Sequence, residues 1–133
     1  TYKYFKGDVL YPFGYGLSYS SFKYSDLQVK DGAGEVTVSF LLKNTGKRNG
    51  DEVAQVYVRI PETGGIVPLK ELKGFRRVPL KSGESRRVEI KLSKEQLRYW
   101  DVEKGQFVVP KGAFDIMVGA SSKDIRLQTV IDL

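Results

Sequence analysis

The chain has 133 residues and a net charge of +6, which suits one domain that buries about two thirds of its unfolded surface. It contains no histidine and no cysteine, which excludes imidazole triads, thiol catalysis, zinc–thiolate sites and iron–sulfur clusters, and we expect no cofactor. No apolar run approaches the roughly 18 residues of a membrane span, so we expect no membrane partner.

The positive charge does not indicate a nucleic-acid partner. Acidic residues such as Glu71, Glu84 and Glu89 are mixed among the basic ones, and no DNA- or RNA-binding fingerprint accompanies them. We interpret the charges as a solvated or partner-facing surface.

The first predicted element is an irregular arm, residues 1–19. Pro12 lacks a backbone donor, and Gly14 and Gly16 allow backbone angles that other residues avoid, so neither a helix nor a central strand is expected there. Its large side chains seek burial and are candidate domain-interface residues: Tyr11, Phe13, Tyr15, Leu17 and Tyr19.

The arm is expected to join a domain at 20–133 to a longer polypeptide, because the only methionine is Met117 and translation does not start at Thr1. Without that polypeptide, we expect the arm to fold back on the domain, to be disordered, or to pair weakly with a second copy of the chain.

Beyond the arm, apolar and polar residues alternate with the period of a β-strand. The pattern predicts strands at 22–29, 36–42, 53–60, 71–78, 87–92, 107–109, 113–120 and 125–131. The third is apolar on both faces, which favours the centre of a sheet, and 107–109 and 113–120 are predicted to form a hairpin about the turn at 110–112. Seven or eight short strands indicate an all-β, immunoglobulin-like two-sheet sandwich.

One short helical turn is predicted after the fifth strand. Ser93 can cap it, with Gln96 as the reciprocal partner three residues later. Leu97 and Trp100 are then expected on one face, closing the end of the sandwich, with Trp100 as a core anchor.

The turn-rich segment 44–51 has two interpretations. Asn44 and Asp51 can hydrogen-bond nearby backbone, which predicts a loop that stabilises itself. The alternative is a docking loop in which Arg48 and Asp51 form pairs across a domain interface.

Several motifs occur together in one order along the whole chain. They are Tyr-Pro-Phe-Gly-Tyr-Gly-Leu-Ser-Tyr at 11–19, Asn-Thr-Gly at 44–46, Lys-Glu-Leu-Lys-Gly-Phe at 70–75, Gly-Glu-Ser at 83–85, Trp-Asp at 100–101 and Val-Gly-Ala-Ser-Ser at 118–122. This order resembles the C-terminal fibronectin type III-like domain of glycoside hydrolase family 3. The Thr-Tyr-Lys-Tyr-Phe opening and Tyr15, where many β-glucosidases carry histidine, are more similar to the β-xylosidase branch.

The resemblance implies that the parent protein is a retaining β-glycosidase acting on terminal β-xylosides or β-glucosides, and that it is periplasmic or secreted. The family's aspartate nucleophile and glutamate acid/base lie upstream, in other domains, so this chain is expected to be non-catalytic. Retaining hydrolysis needs two carboxyl groups about 5 Å apart. Asp51 and Glu52 are adjacent, but neighbours on an extended chain point apart.

Three functions remain open at this stage. The first is an accessory domain that packs on the catalytic domains of the same polypeptide and stabilises them. The second is a carbohydrate-binding module that stacks sugars on Tyr11, Phe13, Tyr15 and Tyr19. The third is a stand-alone adhesion or assembly domain.

Overall fold

The computed structural model describes residues 21–62, 65 and 68–133, and the predicted arm therefore lies outside the described residues. The described part folds into β-strands joined by short turns. The strands are β1 (Phe22–Asp31), β2 (Glu35–Asn44), β3 (Gly50–Arg59), β4 (Glu71–Leu80), β5 (Ser85–Ser93), β6 (Tyr99–Asp101), β7 (Gln106–Val108), β8 (Ala113–Ser121) and β9 (Asp124–Asp132), with a 3₁₀ helix at Lys94–Leu97.

Seven of these strands form two antiparallel sheets. The three-stranded sheet has the order β1-β2-β5, and the four-stranded sheet has the order β4-β3-β8-β9. β3 lies inside its sheet, between β4 and β8, which confirms the position predicted from its two apolar faces. The two short strands β6 and β7 form a separate ribbon. The predicted all-β sandwich is confirmed.

The core lies between the inner faces of the two sheets, where every second side chain is apolar. Burying one such aliphatic or aromatic side chain contributes about 1.5–3 kcal/mol. The inner residues of the four most buried strands are Val36, Val38, Phe40 and Leu42 on β2, Ala54, Val56 and Val58 on β3, Val88, Ile90 and Leu92 on β5, and Phe114, Ile116 and Val118 on β8.

The hairpin predicted between 107–109 and 113–120 is wrong. β7 pairs with β6, whereas β8 pairs with β3 on one side and β9 on the other. The backbone of Gly112 exchanges two hydrogen bonds with Leu133, which continues the β8–β9 ladder beyond its last paired strand residues. The turn residues thus extend one edge of β8 instead of reversing the chain.

The predicted capping box is confirmed. The Ser93 hydroxyl accepts from the backbone N–H of Glu95, and the Gln96 side chain accepts from that of Ser93 at 2.8 Å. Leu97 is buried at the end of the sandwich, as expected. The prediction for Trp100 is wrong, because its side chain is 52% exposed. The backbone becomes extended after the helix, so Trp100 belongs to β6 and no longer shares a face with Leu97.

Candidate functional site

One end of the sandwich is built around the first described residue, Ser21, and is called the Ser21 end below. The backbone N–H of Thr45 donates to the Ser21 carbonyl at 2.8 Å, and the two hydroxyls lie 2.8 Å apart. β2 ends here at Asn44 and β3 begins at Gly50. The loop between these strands, which carries Arg48, therefore lies beside the point where the arm would arrive.

The loop at 45–49 is tied to the domain by Asn44, whose side chain is fully buried. The Asn44 side-chain oxygen accepts from the Gly46 N–H at 2.9 Å. Its amide nitrogen donates to the carbonyls of Arg48 at 2.9 Å and Leu80 at 3.0 Å. The loop is also joined to the β4–β5 turn, where Asn49 accepts from the Ser82 N–H at 3.0 Å. The predicted self-stabilising loop is thus present.

Asp51 lies on β3 and pairs with Arg77 on the neighbouring strand β4. The Arg77 Nε donates to the Asp51 carboxylate at 2.8 Å. Arg48 and Asp51 both lie at the Ser21 end, as the docking interpretation requires, but Asp51 has a partner within its own domain. Their role at a domain interface stays a prediction.

Glu52 points to the other side of β3 and belongs to a network that sequence reasoning missed. The Tyr24 hydroxyl donates to its carboxylate at 2.8 Å. The Arg126 guanidinium lies 5.3 Å from the Tyr24 ring centre, binds Asp124 at 2.6 Å and donates to the Phe22 carbonyl at 2.8 Å. The residues of this network come from β1, β3 and β9, so no local sequence pattern predicts their contact.

Burial governs the protonation of this network. Desolvation raises the pKa of Glu52, against the lowering effects of the Tyr24 hydrogen bond and the Arg126 charge. Burial also raises the pKa of Tyr24 far above its usual range, and the carboxylate of Glu52 adds to that rise. The Tyr24 proton is therefore held in the folded protein, where it donates to Glu52.

The opposite end of the molecule carries an exposed aromatic ribbon, β6–β7. Trp100 and Phe107 are opposite each other and are 52% and 53% exposed. Their ring centres lie 5.1 Å apart with an angle of 78° between the planes, and the Arg98 guanidinium lies 4.4 Å over Phe107. The two rings are edge to face and do not make the flat platform on which a sugar ring stacks. In the sequence, the one sign of this ribbon is that Trp100 and Phe107 lie seven residues apart.

The described residues contain no group of three or more acidic, histidine or cysteine side chains placed to hold a metal ion. Within the same part of the chain, no helix is long and apolar enough to cross a membrane.

Comparison with known proteins matches this chain to a segment of several longer proteins. Residues 52–122 match the family model of the fibronectin type III-like domain. The chain is 40% identical to a probable beta-glucosidase L of Aspergillus fumigatus, a match that covers 87% of this chain and 18% of that protein. It is also 40% identical to a xylan 1,4-beta-xylosidase of Xylanibacter ruminicola, over 98% of this chain and 15% of that protein.

The fold agrees with the sequence matches. The crystal structure of a GH3 beta-glucosidase from Bifidobacterium adolescentis superposes with a TM-score of 0.80 and 38% sequence identity, covering 92% of this chain and 18% of that one. The chain thus spans less than a fifth of the length of each of these three proteins.

Proposed function

The chain belongs to the fibronectin type III-like domain family, and we propose that it serves as a non-catalytic accessory domain of a family 3 β-glycosidase, packing on the catalytic domains and stabilising them. The observation that carries the proposal is the asymmetry of coverage. The matches run through 87% and 98% of this chain but only 18% and 15% of the two enzymes. A segment that recurs whole within much longer enzymes is best explained as one of their domains.

The parent's reaction is proposed to be retaining hydrolysis of terminal β-glucosides or β-xylosides, since the relatives carry both names. Such hydrolysis needs two carboxyl groups about 5 Å apart across a sugar pocket. Two of the carboxylates in this domain, Asp51 and Asp124, are engaged in ion pairs with Arg77 and Arg126. Those pairings support a structural role for the domain. A secreted or periplasmic location is proposed on the same kinship.

A carbohydrate-binding role is less well supported. Trp100 and Phe107 are a pair of exposed aromatic side chains, but their planes are 78° apart and Arg98 covers one face of Phe107. The tyrosines proposed for this role on the arm lie outside the described residues. A stand-alone adhesion domain does not account for the enzymes in which the matching segment is found.

Deleting this domain from the parent enzyme tests the proposal. We expect the truncated enzyme to melt about 5 °C lower or more, because an interdomain interface is lost. The separately expressed chain is expected to hydrolyse no aryl β-glucoside or β-xyloside. The measurements are differential scanning fluorimetry and a chromogenic assay.

Two substitutions in the full-length enzyme control for the deletion. Phe40→Ala removes a fully buried core ring and should reproduce the lower melting temperature, because such changes cost about 3–5 kcal/mol. Thr37→Ala, on the outer face of the same strand, should leave it unchanged. An unaltered melting temperature after deletion would refute the stabilising role.

A further inference from the structure

The two sheets differ in the chemistry of their outer faces. An antiparallel sheet in a sandwich commonly buries one face and presents the other to water, so the outer face is normally polar. The three-stranded sheet follows this rule. Its outward residues on β2 and β5 include Thr37, Ser39, Arg87, Glu89 and Lys91.

The outer face of the four-stranded sheet also carries a group of large apolar side chains. Strand register places Tyr57 between Leu72 and Met117, and Phe75 beside Gln55, all pointing away from the core. Val53 lies on the same face near the Ser21 end. These residues, Val53, Tyr57, Leu72, Phe75 and Met117, form what we call the apolar outer face.

Part of the apolar outer face is buried, with Tyr57 and Met117 only 8% and 4% exposed. Lys70 lies 6.0 Å over the Tyr57 ring and donates to the Ser122 carbonyl at 2.7 Å. Val53, Leu72 and Phe75 are left 41%, 48% and 65% exposed. Several exposed large apolar side chains on one face indicate a site where another segment packs.

Two pairs of opposite charges lie on this side of the sheet. Arg77 pairs with Asp51, and Arg59 pairs with Asp115 at 3.4 Å. Lys70 adds one positive charge, which lies over the Tyr57 ring. A partner for this face is therefore expected to be mainly apolar.

We propose that residues 11–19 of this chain pack across the apolar outer face. The segment carries no charged residue and is rich in large apolar side chains, among them Phe13, Tyr15 and Leu17. It complements an apolar surface on which Arg77 and Arg59 are paired with Asp51 and Asp115. The outer face of the three-stranded sheet, with its arginine, glutamate and lysine, offers no comparable contact.

The length of the arm and the position of its last anchor agree with this assignment. Ser21 is hydrogen-bonded to Thr45 at the Ser21 end, and Arg126 of β9 holds the adjacent Phe22 carbonyl. Val53 lies three residues beyond the start of β3, about 10 Å along the strand. Ten residues of extended chain reach about 33 Å. A segment of this length is therefore long enough to span the distance from Ser21 to Val53 and Phe75.

The assignment concerns contacts within this chain and does not depend on the proposed role in an enzyme. It assigns the predicted interface residues Phe13, Tyr15 and Leu17 to one binding surface. That surface is the outer face of the four-stranded sheet and not that of the three-stranded sheet. The deletion experiment on the enzyme and the labelling experiment on this chain can therefore refute the two proposals independently.

Thiol labelling tests the proposal in the full 133-residue chain, which has no cysteine of its own. Val53→Cys reports on the apolar outer face. Leu41→Cys is the matched control, since Leu41 lies three residues from the end of β2, as Val53 lies three residues from the start of β3, but on the outer face of the other sheet. Each cysteine variant is prepared in two forms, one with the natural residues 11–19 and one that also carries Phe13→Ser and Tyr15→Ser.

We expect Phe13→Ser and Tyr15→Ser together to raise the labelling rate of Val53→Cys about tenfold and to leave the labelling rate of Leu41→Cys unchanged. Equal rates with both arms would overturn the proposal. So would an equal acceleration at both positions, which indicates general loosening, or protection of Val53→Cys that grows with protein concentration, which indicates a second copy as the occupant.

Discussion

At the scale of single residues, Asn44 links sequence to loop structure most directly. Among the described residues, Asn44 is the one buried polar side chain, and its amide satisfies three backbone groups, two in the loop and one at the end of β4. A buried amide with all these bonds stabilises the fold, but a buried backbone group left without its partner is costly. The loop at 45–49 therefore depends on this one side chain.

Asn44→Ala should lower the free energy of unfolding by about 2–4 kcal/mol, because it leaves the Arg48 and Leu80 carbonyls and the Gly46 N–H without their partner. Urea denaturation followed by tryptophan fluorescence measures the change. Asn49→Ala is the matched control in the same loop. Asn49 is exposed and makes one bond, to Ser82, so its loss should cost less than about 1 kcal/mol. Similar losses in both variants would contradict this account.

Glu52 makes stability depend on pH in a direction opposite to that of an ordinary ion-paired carboxylate. Burial raises its pKa above the usual 4.5, so the folded state holds the proton more tightly than the unfolded chain. The stabilisation from this linkage is fully present below pH about 4.5 and is lost as the pH rises through the folded pKa. At neutral pH the charged Glu52 is a destabilising group that Tyr24 and Arg126 only partly offset.

Glu52→Gln should therefore become increasingly favourable relative to the natural protein as the pH rises from about 4 to about 7. Melting temperatures of the two proteins across this range measure the difference. Tyr24→Phe removes the hydrogen bond that lowers the pKa of Glu52 and should move the loss of stability to higher pH. A difference between Glu52→Gln and the natural protein that is constant with pH would show that Glu52 titrates alike in both states.

At the scale of elements, pairing between β8 and β9 leaves no room for a side chain at Gly119. A Cβ there would collide with the Asp124 carbonyl oxygen and lie 2.8 Å from the Ile125 Cα. Both contacts are backbone of the paired strand, at a point where the register shifts. The close approach of the two strands thus requires glycine at this position.

Gly119→Ala should destabilise the protein by about 3 kcal/mol or more, because relief of the clash separates β8 from β9. Gly34→Ala is the comparison. Gly34 has a φ of +83° but open space around it, so only the left-handed backbone opposes a methyl group, at about 1–2 kcal/mol. Chemical denaturation of both variants measures which substitution destabilises the protein more. A smaller loss of stability in Gly119→Ala than in Gly34→Ala would show that β9 can shift without an energetic cost.

At the scale of the whole molecule, the sandwich is polar on one outer face and apolar on the other, and it carries different features at its two ends. The Ser21 end holds the Asn44 loop and the Glu52 network, and the far end holds the Trp100–Phe107 ribbon. A domain that worked alone in water would be expected to present polar residues on both outer faces. The asymmetry favours a sandwich whose four-stranded side is covered, which agrees with the proposed packing of residues 11–19 on that side.

The sequence by itself determined the all-β class, the eight strand positions, the capping box and the kinship with the fibronectin type III-like family. Alternation with a period of two and the spacing of Ser93 and Gln96 are local properties, so they can be recognised without knowledge of the fold. The self-stabilising loop was predictable for the same reason, since Asn44 and Gly46 are two residues apart.

Only the tertiary structure decided which strands pair and what each outward face meets. The partner of β7, the exposure of Trp100 and the Tyr24–Glu52–Arg126 network depend on residues brought together from distant parts of the chain. The apolar outer face is likewise invisible in any single strand, because β3, β4 and β8 each contribute only one or two of its residues. Local periodicity specifies which side of a strand is apolar, but only sheet order specifies what that side contacts.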